Sequence, residues 1–264
     1  MRRVSFRRSR SGLVLVALTG MLGATPAARS ESAFLLSWPD SLGRVPATTY
    51  DDHGVRLGDA NLLIEQLDSG AIRVFSQSGE SGGAHTVASA ELTPVEPGHM
   101  LRLARQESHS FDTQGQSIGS LVIDHGARRA SCIDPAGALE GEVDLPTEDR
   151  VVNVPLNLLF LPLVRGEASA LHFQLFLCRS GARLLDFQAW VADHAGEPRA
   201  PVEIRYAPEL GLLSPLARQF VPRLSFWFDP RAPYGWIAHR LPLYTGGPEV
   251  LVVRQGVSSS SLAN

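Results

Sequence analysis

Turn signals recur about every ten residues along this chain, and short alternating stretches separate them. The triplets at 68–70 and 124–126 combine Asp with Gly, residue types that adopt the backbone conformations of tight turns. Within residues 71–75 and 100–105, apolar side chains alternate with polar ones, the period of a half-buried strand. The pattern therefore predicts a mainly β fold, an antiparallel meander that forms an open barrel or curved sheet with one or two short helices.

The longest apolar tract after the N-terminus covers residues 150–178 and is interrupted by Pro155 and Pro162. A proline is tolerated in the first turn of a helix, because the missing N–H has no partner there, but it interrupts a helix further along. We therefore predict a short buried helix over residues 156–161, ended by Pro162. Residues 171–178, dense in Leu and Phe, predict a central strand buried on both faces.

Four other segments carry weaker signals. Residues 31–49 contain Pro and Gly and are predicted to lie over the surface, and residues 135–149 are predicted to form an acidic loop. Ser214 and Pro215 resemble a helix cap followed by a first-turn proline, which predicts a second short helix reaching Phe220. The tail at 258–264 is predicted to be disordered.

The N-terminus has the layout of a secretory signal peptide. Residues 1–10 include five arginines and no acid, residues 12–23 are apolar, and residues 24–30 are rich in small side chains. Twelve apolar residues are too few to span a bilayer, which needs about 20. We predict a signal peptide at 1–30, a single β-rich domain at 31–257 without a transmembrane span, and a periplasmic or secreted bacterial location.

The charge balance restricts the class of partner. Without residues 1–30, which hold six arginines and no acid, the chain has 18 basic and 27 acidic side chains and a formal net charge of −9. Nucleic acids and anionic membrane surfaces attract basic patches. We therefore expect no nucleic-acid partner.

Cys132 and Cys178 are the two cysteines of the chain. In an oxidising compartment a disulfide is the expected state of such a pair. The alternative is a nucleophilic thiol, which needs an activating base beside it, and the local sequence shows none. We predict a disulfide between them.

Three stretches carry a resemblance to a known group of proteins: Tyr50-Asp51 with Gly58, residues 155–166, and residues 223–228. With them, the chain resembles uncharacterised bacterial periplasmic proteins, a domain-of-unknown-function family related in shape to the lipoprotein-carrier half-barrels. The resemblance implies an open barrel able to hold an apolar ligand. It implies no catalytic residue and no cofactor.

Two stretches match the Gly-x-Ser-x-Gly pattern of serine hydrolases, around Ser117 and Ser81. A nucleophile elbow needs a strand before the serine and a helix after it. Residues 120–123 read as a strand instead, and only His53 precedes Ser81. We interpret both matches as β-turns and assign no catalytic residue.

The histidines show no metal-binding spacing, such as His-x-x-x-His or a Cys-x-x-Cys partner motif. Three of them, His53, His125 and His194, directly follow an Asp, and adjacent residues of a strand point to opposite faces. His172 and His239 lie in apolar strands and are interpreted as core residues with a satisfied hydrogen bond. We predict no metal site.

Aromatic residues crowd into positions 226–244. On adjacent strands they would form cross-strand pairs in a packed core. The functional alternative is the wall of an apolar cavity with an arginine at its mouth. The candidate ligand-binding residues are Trp227, Trp236, Tyr234, Tyr244, Arg223 and Arg240, with Arg231 as a further candidate for the mouth.

Three functions remain open. The first is a noncatalytic exported protein that binds a lipid or other apolar small molecule in the cell envelope. The second is a module that binds another envelope protein through its apolar strands. The third is a serine hydrolase that uses Ser117 or Ser81.

Overall fold

A computed structural model describes residues 35–80, 82–96, 99–179, 181–192, 200–209, 224–258 and 262. Strands make up most of these residues. In chain order they are β1 (Leu36–Ser37), β2 (Gly43–Tyr50), β3 (Arg56–Gln66), β4 (Ile72–Gly79), β5 (His85–Val95), β6 (Met100–Phe111), β7 (Ser117–Asp124), β8 (Arg129–Ile133), β9 (Leu139–Asp144), β10 (Ala170–Leu177), β11 (Arg183–Val191), β12 (Val202–Pro208), β13 (Leu224–Phe228), β14 (Trp236–Pro242) and β15 (Glu249–Arg254).

The strands form one antiparallel sheet in the order β10-β11-β12-β13-β14-β15-β2-β3-β4-β5-β6-β7-β8-β9, and β1 pairs with β6. Side chains of β3 and β4 share one core with side chains of β10 and β11, although these strands are far apart in this order. The sheet therefore curves around that core. The predicted fold class, an antiparallel meander forming an open barrel or curved sheet, is confirmed. We call the face that carries this core the inner face.

Two short helices, α1 (Leu156–Leu159) and α2 (Leu161–Val164), pack inside the curve. The prediction that Pro162 ends the helix is wrong, because Pro162 lies in the first turn of α2, where a missing N–H costs nothing. Phe160 between the helices is fully buried. Its ring centroid lies 5.3 to 5.9 Å from those of Phe173, Tyr206 and Phe226, which anchors the helical segment to three strands.

β10 lies at one end of the strand order, so the prediction of a central strand is wrong for residues 171–178. Its free edge is covered by residues 150–152. The backbone N–H of Gln174 donates to Arg150 O at 2.9 Å, and the N–H of Val152 donates to Gln174 O at 2.9 Å. This short parallel bridge satisfies backbone groups that an open edge would expose.

The carboxamide of Gln106, on β6, holds residues 151–154 on their other side. Its Oε1 accepts from the N–H of Asn153 at 2.7 Å and of Val154 at 2.8 Å. Its Nε2 lies 2.9 Å from Val151 O and 2.6 Å from Nε2 of His125. Gln106 is fully buried, and these four contacts use every donor and acceptor of its carboxamide.

His125 completes this arrangement through Asp149. Because both Nε2 hydrogens of Gln106 are donated, the facing Nε2 of His125 accepts one of them. The proton of the ring is therefore on Nδ1, which lies 2.5 Å from Asp149 Oδ2. The carboxylate that contacts His125 is thus Asp149 rather than the adjacent Asp124. We call residues 150–154, with Gln106, His125 and Asp149, the seam.

The two ends of the sheet overlap at the seam. Phe176 and Cys178 alternate with the inward Phe173 and Leu175 and therefore lie on the outer face of β10. There they meet side chains of β7 and β8 in a second core, with Ile123, Ala130, Cys132, Leu145, Val151 and Phe176 buried. The overlap covers the outer face of β10 at Phe176 and Cys178, whereas His172 on the same face is exposed, so the predicted burial on both faces holds only for the end of the strand.

The predicted disulfide is confirmed: Cys132 and Cys178 are bonded, with their Cα atoms 5.5 Å apart. Cys132 belongs to β8, and Cys178 directly follows β10. The bond therefore joins the strands near the two ends of the sheet order.

The prediction that residues 31–49 lie over the surface is wrong where they form β1 and β2. Pro46 suggested a loop, because proline cannot donate to a ladder in a central strand. Its carbonyl accepts from the N–H of Gln255, which follows β15, so the side of Pro46 without an N–H faces the end of that strand. β2 therefore loses no bond to β3, and Ala47 and Thr49 are fully buried.

The predicted acidic loop at 135–149 is also wrong in part, because it contains β9. The acids in β9 occupy alternate positions, Glu140, Glu142 and Asp144, all of them exposed. Gly141 and Val143 lie on the other face and are half-buried. Charged residues on an edge strand discourage pairing with another chain.

Three predicted segments lie outside the described residues wholly or in part. These are the signal peptide at 1–30, the helix at 214–220 and most of the tail at 258–264, of which Ser258 and Leu262 are described, and Leu262 is buried. Within the described part of the chain, no helix combines the length and the hydropathy needed to cross a membrane.

Candidate functional site

The inner face of the sheet lines a partly open cavity of about 420 Å³. This volume lies in the range of about 300–1,000 Å³ that is typical of small-molecule sites. Its wall is contributed by β3 to β7, by β10 to β15 and by the helical segment, and most of the lining is apolar. The apolar lining residues include Leu62, Val74, Leu121, Leu156, Leu175, Leu177, Phe187, Leu224, Phe226, Leu241 and Val252.

A β-bulge in β14 determines which of its side chains reach the cavity. Trp227 pairs with Ala238, but the next residue, Phe228, pairs with Trp236, so Ile237 is the extra residue. A bulge changes the alternation of side chains along a strand. Trp236 and His239, three positions apart, therefore both face inward and line the cavity, while Ile237 and Ala238 pack on the outer face.

Polar atoms interrupt the apolar wall at three aromatic residues. Trp236 is 7% exposed, and its buried Nε1 has no hydrogen-bond partner among the described residues. Burial lowers the pKa of His239 from 6.5 to about 3 by desolvation, so its imidazole is neutral at physiological pH. Burial also raises the pKa of the Tyr206 phenol above its ordinary range. Neither His239 nor Tyr206 hydrogen-bonds a residue that the structure describes.

The described part of the cavity wall carries no ionised side chain. Among its described lining residues, none is Asp, Glu or Arg, and the single histidine is the neutral His239. The remaining polar lining consists of side chains such as Ser76, Thr86 and Asn157.

The turn between β14 and β15 forms part of the wall. Thr86 Oγ1, on β5, donates to Leu243 O at 2.7 Å, and Tyr244 and Gly246 of this turn also line the cavity. β14 and β5 are five places apart in the strand order, so this bond crosses from one part of the curved sheet to another. The exposed guanidinium of Arg179 packs directly against Gly246, where a Cβ would clash with it.

The structure separates the predicted ligand-binding residues. Trp236 and Tyr244 line the cavity, and Tyr234 packs against the main core without lining it. Trp227 lies on the outer face in a third cluster, with Arg240 over its ring at 5.9 Å. Arg231 is exposed, and Arg223 lies outside the described residues.

Sequence reasoning missed the cavity residues that precede position 226. Tyr206 and Phe187 lie on strands that the alternation pattern placed, but no pattern in the sequence indicated that β11 and β12 face β3 and β4. One feature of the sequence could have indicated the cavity. Ser76, Ser108 and Ser110 are small polar residues at inward positions of their strands, where larger apolar side chains would fill the space.

The two histidines that were interpreted as core residues with a satisfied hydrogen bond differ from that prediction. His172 is exposed on the outer face, where its Nδ1 lies 2.5 Å from Glu209 Oε1. His239 is inward but has no partner among the described residues. Apolar neighbours in the sequence do not show which face of a strand is covered.

Ser117 begins β7, and its Oγ accepts from the N–H of Gly119 at 3.3 Å. A strand follows the serine, so the helix that a nucleophile elbow requires is not there. Ser81 lies outside the described residues. Among the residues that the structure describes, no three His, Cys, Asp or Glu side chains form a group that could hold a metal ion.

No family model and no curated protein matches this chain. Among solved structures, the chain is similar to a beta-barrel-like protein of domain of unknown function DUF1849 from Brucella abortus, with 10% sequence identity and a TM-score of 0.36. The similarity covers 83% of this chain and 97% of that chain. At this low TM-score, the fold and the site rest on the residues of this chain alone, and the resemblance to lipoprotein-carrier half-barrels stays a prediction.

Proposed function

We propose that this protein is an exported, noncatalytic β-rich protein that binds an apolar or lipid-like ligand inside its curved sheet. The observation that carries the proposal is the cavity of about 420 Å³, whose described wall is largely apolar and holds no ionised side chain. Well-packed interiors leave few voids larger than a water molecule, so a cavity of this size is typical of a ligand site.

Export is supported by one feature of the sequence and one of the fold. Residues 1–30 have the basic, apolar and small-residue order of a signal peptide. The bond between Cys132 and Cys178 suits an oxidising compartment. The cell envelope or the medium is therefore the proposed location.

The binding proposal is tested by filling the cavity from an inward position. Ser76 lies on the inner face of β4 and lines the cavity, so Ser76→Leu places extra carbon atoms inside it. We expect the affinity for a neutral apolar fluorophore, N-phenyl-1-naphthylamine, to fall about tenfold or more, which corresponds to about 1.4 kcal/mol. Fluorescence titration of the purified protein measures this change.

Ser89→Leu is the matched control. Ser89 pairs with Phe75, next to Ser76, but faces outward because it alternates with the buried Ala90. Its affinity for the fluorophore should stay within about twofold of the unmodified protein. A protein that binds no apolar probe, or equal losses in the two variants, would contradict the proposal. The partner-binding module would then be the leading alternative.

A further inference from the structure

The cavity reaches the end of the sheet that carries the turns after β10 and β14. At the opposite end, α1 contacts β1, which pairs with the start of β6, so the helical segment fills the curve there. The open side of the cavity therefore lies among the turns, and we call it the mouth. The lining residues at the mouth belong to a turn or to the end of a strand: Leu177, Pro208, Leu224, Tyr244, Thr245 and Gly246.

Two arginines lie at the mouth, on either side of the turn between β10 and β11. The first, Arg179, directly follows Cys178, which the disulfide holds to β8. Its guanidinium packs against Gly246, a residue of the cavity wall. This contact places a positive charge at the edge of the wall, where the side chain of Arg179 remains exposed to solvent.

The second arginine, Arg183, pairs with Leu177, the last residue of β10. It lies on the same side of β11 as the inward Leu185 and Phe187, because alternate residues of a strand point to one face. Arg183 is exposed, since it begins its strand at the mouth. Neither Arg183 nor Arg179 forms an ion pair with an acid that the structure describes. Both guanidinium groups can therefore bind an anion from solution.

We propose that the ligand is an amphiphile with an oxyanion head group, a carboxylate or a phosphate, which binds Arg179 and Arg183 at the mouth while the hydrocarbon part lies in the cavity. This inference rests on the proposed function and specifies its ligand class. A guanidinium presents paired N–H donors that match two oxygens of a carboxylate or phosphate. A head group at the exposed mouth also avoids the cost of burying a charge against the apolar wall.

Four probes of equal chain length test the head group: dodecanoate, dodecyl phosphate, methyl dodecanoate and dodecyltrimethylammonium. Their affinities at pH 8 are measured by displacement of N-phenyl-1-naphthylamine from the purified protein. We expect both anions to bind about fivefold to tenfold more tightly than the neutral ester, the gain from two exposed ion pairs. The ammonium should bind more weakly than the ester. Because salt screens exposed charges, the preference for the anions should shrink in about 0.5 M NaCl.

The double substitution Arg179→Gln with Arg183→Gln removes both charges and keeps polar side chains. This variant should lose most of the preference for the anions, while its affinity for methyl dodecanoate stays within about twofold and shows that the cavity persists. Arg44→Gln is the matched control and should keep the full preference. Arg44 is exposed at the start of β2, at the opposite end of the sheet, and faces outward because it alternates with the inward Val45.

Different results would overturn the inference and the function on which it rests. If the anions bind no more tightly than the ester, if the ammonium binds most tightly, or if the double variant keeps the preference, the head group is wrong while apolar binding stands. If neither the fluorophore nor any of the probes binds, both proposals fail. A preference for dodecanoate over dodecyl phosphate would indicate a fatty-acid-like ligand, and the reverse a phosphate-bearing lipid; either supports the oxyanion head group.

Discussion

His239 is a neutral imidazole placed in an apolar wall, and this has a consequence for stability. Desolvation lowers its pKa to about 3 in the folded protein, whereas an unfolded chain restores a value near 6.5. Between these two values the unfolded state binds a proton that the folded state does not. The contribution of His239 to stability is therefore fully present above pH 6.5 and is lost as the pH falls toward 3.

The substitution His239→Leu tests this dependence. The free energy of unfolding of the unmodified protein should fall by up to about 1.4 kcal/mol per pH unit below pH 6.5 from this residue alone. In the variant this part of the slope should disappear. Urea unfolding at several pH values between 7 and 4 measures it. His53→Leu removes a histidine whose side chain is 80% exposed and should leave the slope unchanged; equal slopes in all three proteins would refute the argument.

Gln106 is a second single residue on which the free energy of unfolding should depend strongly. Removing its carboxamide leaves two backbone N–H groups, one carbonyl and one imidazole nitrogen of the seam without partners. Each buried unsatisfied group costs about 1–3 kcal/mol. Gln106→Leu, which is close in size, should therefore lower the free energy of unfolding by roughly 3 kcal/mol or more.

Chemical denaturation measures this loss, and Gln116→Leu is its control, because Gln116 is exposed in the turn before β7. The control should change stability by less than about 0.5 kcal/mol. A similar small change in Gln106→Leu would show that the seam does not depend on this side chain.

At the scale of single elements, the sequence predicted the strands far better than their faces. Alternation placed strands near residues 71–75 and 100–105, because a half-buried strand repeats every two residues. Pro46 and the acids of β9 were interpreted as loop signals. In the fold, the side of Pro46 that lacks an N–H faces the end of β15, and the acids of β9 face solvent. Both are therefore compatible with strands.

The bulge at Ile237 shows why the site was harder to predict than the fold. Phe226 and Phe228 on β13 face inward. Strict alternation along the paired strand β14 would place Trp236 and His239, which are three positions apart, on opposite faces of the sheet. The extra residue in β14 reverses which side chains after the bulge face the cavity. No turn residue or proline in the sequence indicates the position of this bulge. Trp227 and Arg240 were grouped with Trp236 because they are close in the sequence, although they lie on the other side of the sheet.

At the scale of the whole molecule, the contacts that hold the two ends of the sheet together come from residues far apart in the chain. The disulfide closes a loop with a sequence separation of 46 residues. The same overlap contributes to the cavity, since Leu121, Asn153, Val154, Leu175 and Leu177 belong to the joined ends and line it. The sequence predicted the bond from the compartment but did not indicate that it fastens the two ends of one sheet.

The double substitution Cys132→Ala with Cys178→Ala tests this view of the fold. By the loop-entropy relation, a loop of this length contributes about 4 kcal/mol, so the free energy of unfolding should fall by that order. Because the bond holds the overlap, amide exchange should accelerate first in β8, β9 and residues 150–154, while β2 to β5 stay protected. The apolar fluorophore should also dissociate faster, because part of the cavity wall is loosened.

Two measurements distinguish this outcome from a general weakening of the fold. Thiol titration of the unmodified protein, unfolded without reductant, should find no free cysteine. Hydrogen exchange of the unmodified protein under reducing conditions should reproduce the pattern of the double variant, since both lack the same bond. Acceleration spread evenly over all strands would mean that the disulfide acts only on the unfolded chain. Acceleration confined to the overlap, together with faster release of the fluorophore, would tie the disulfide to the cavity that the joined ends help to enclose.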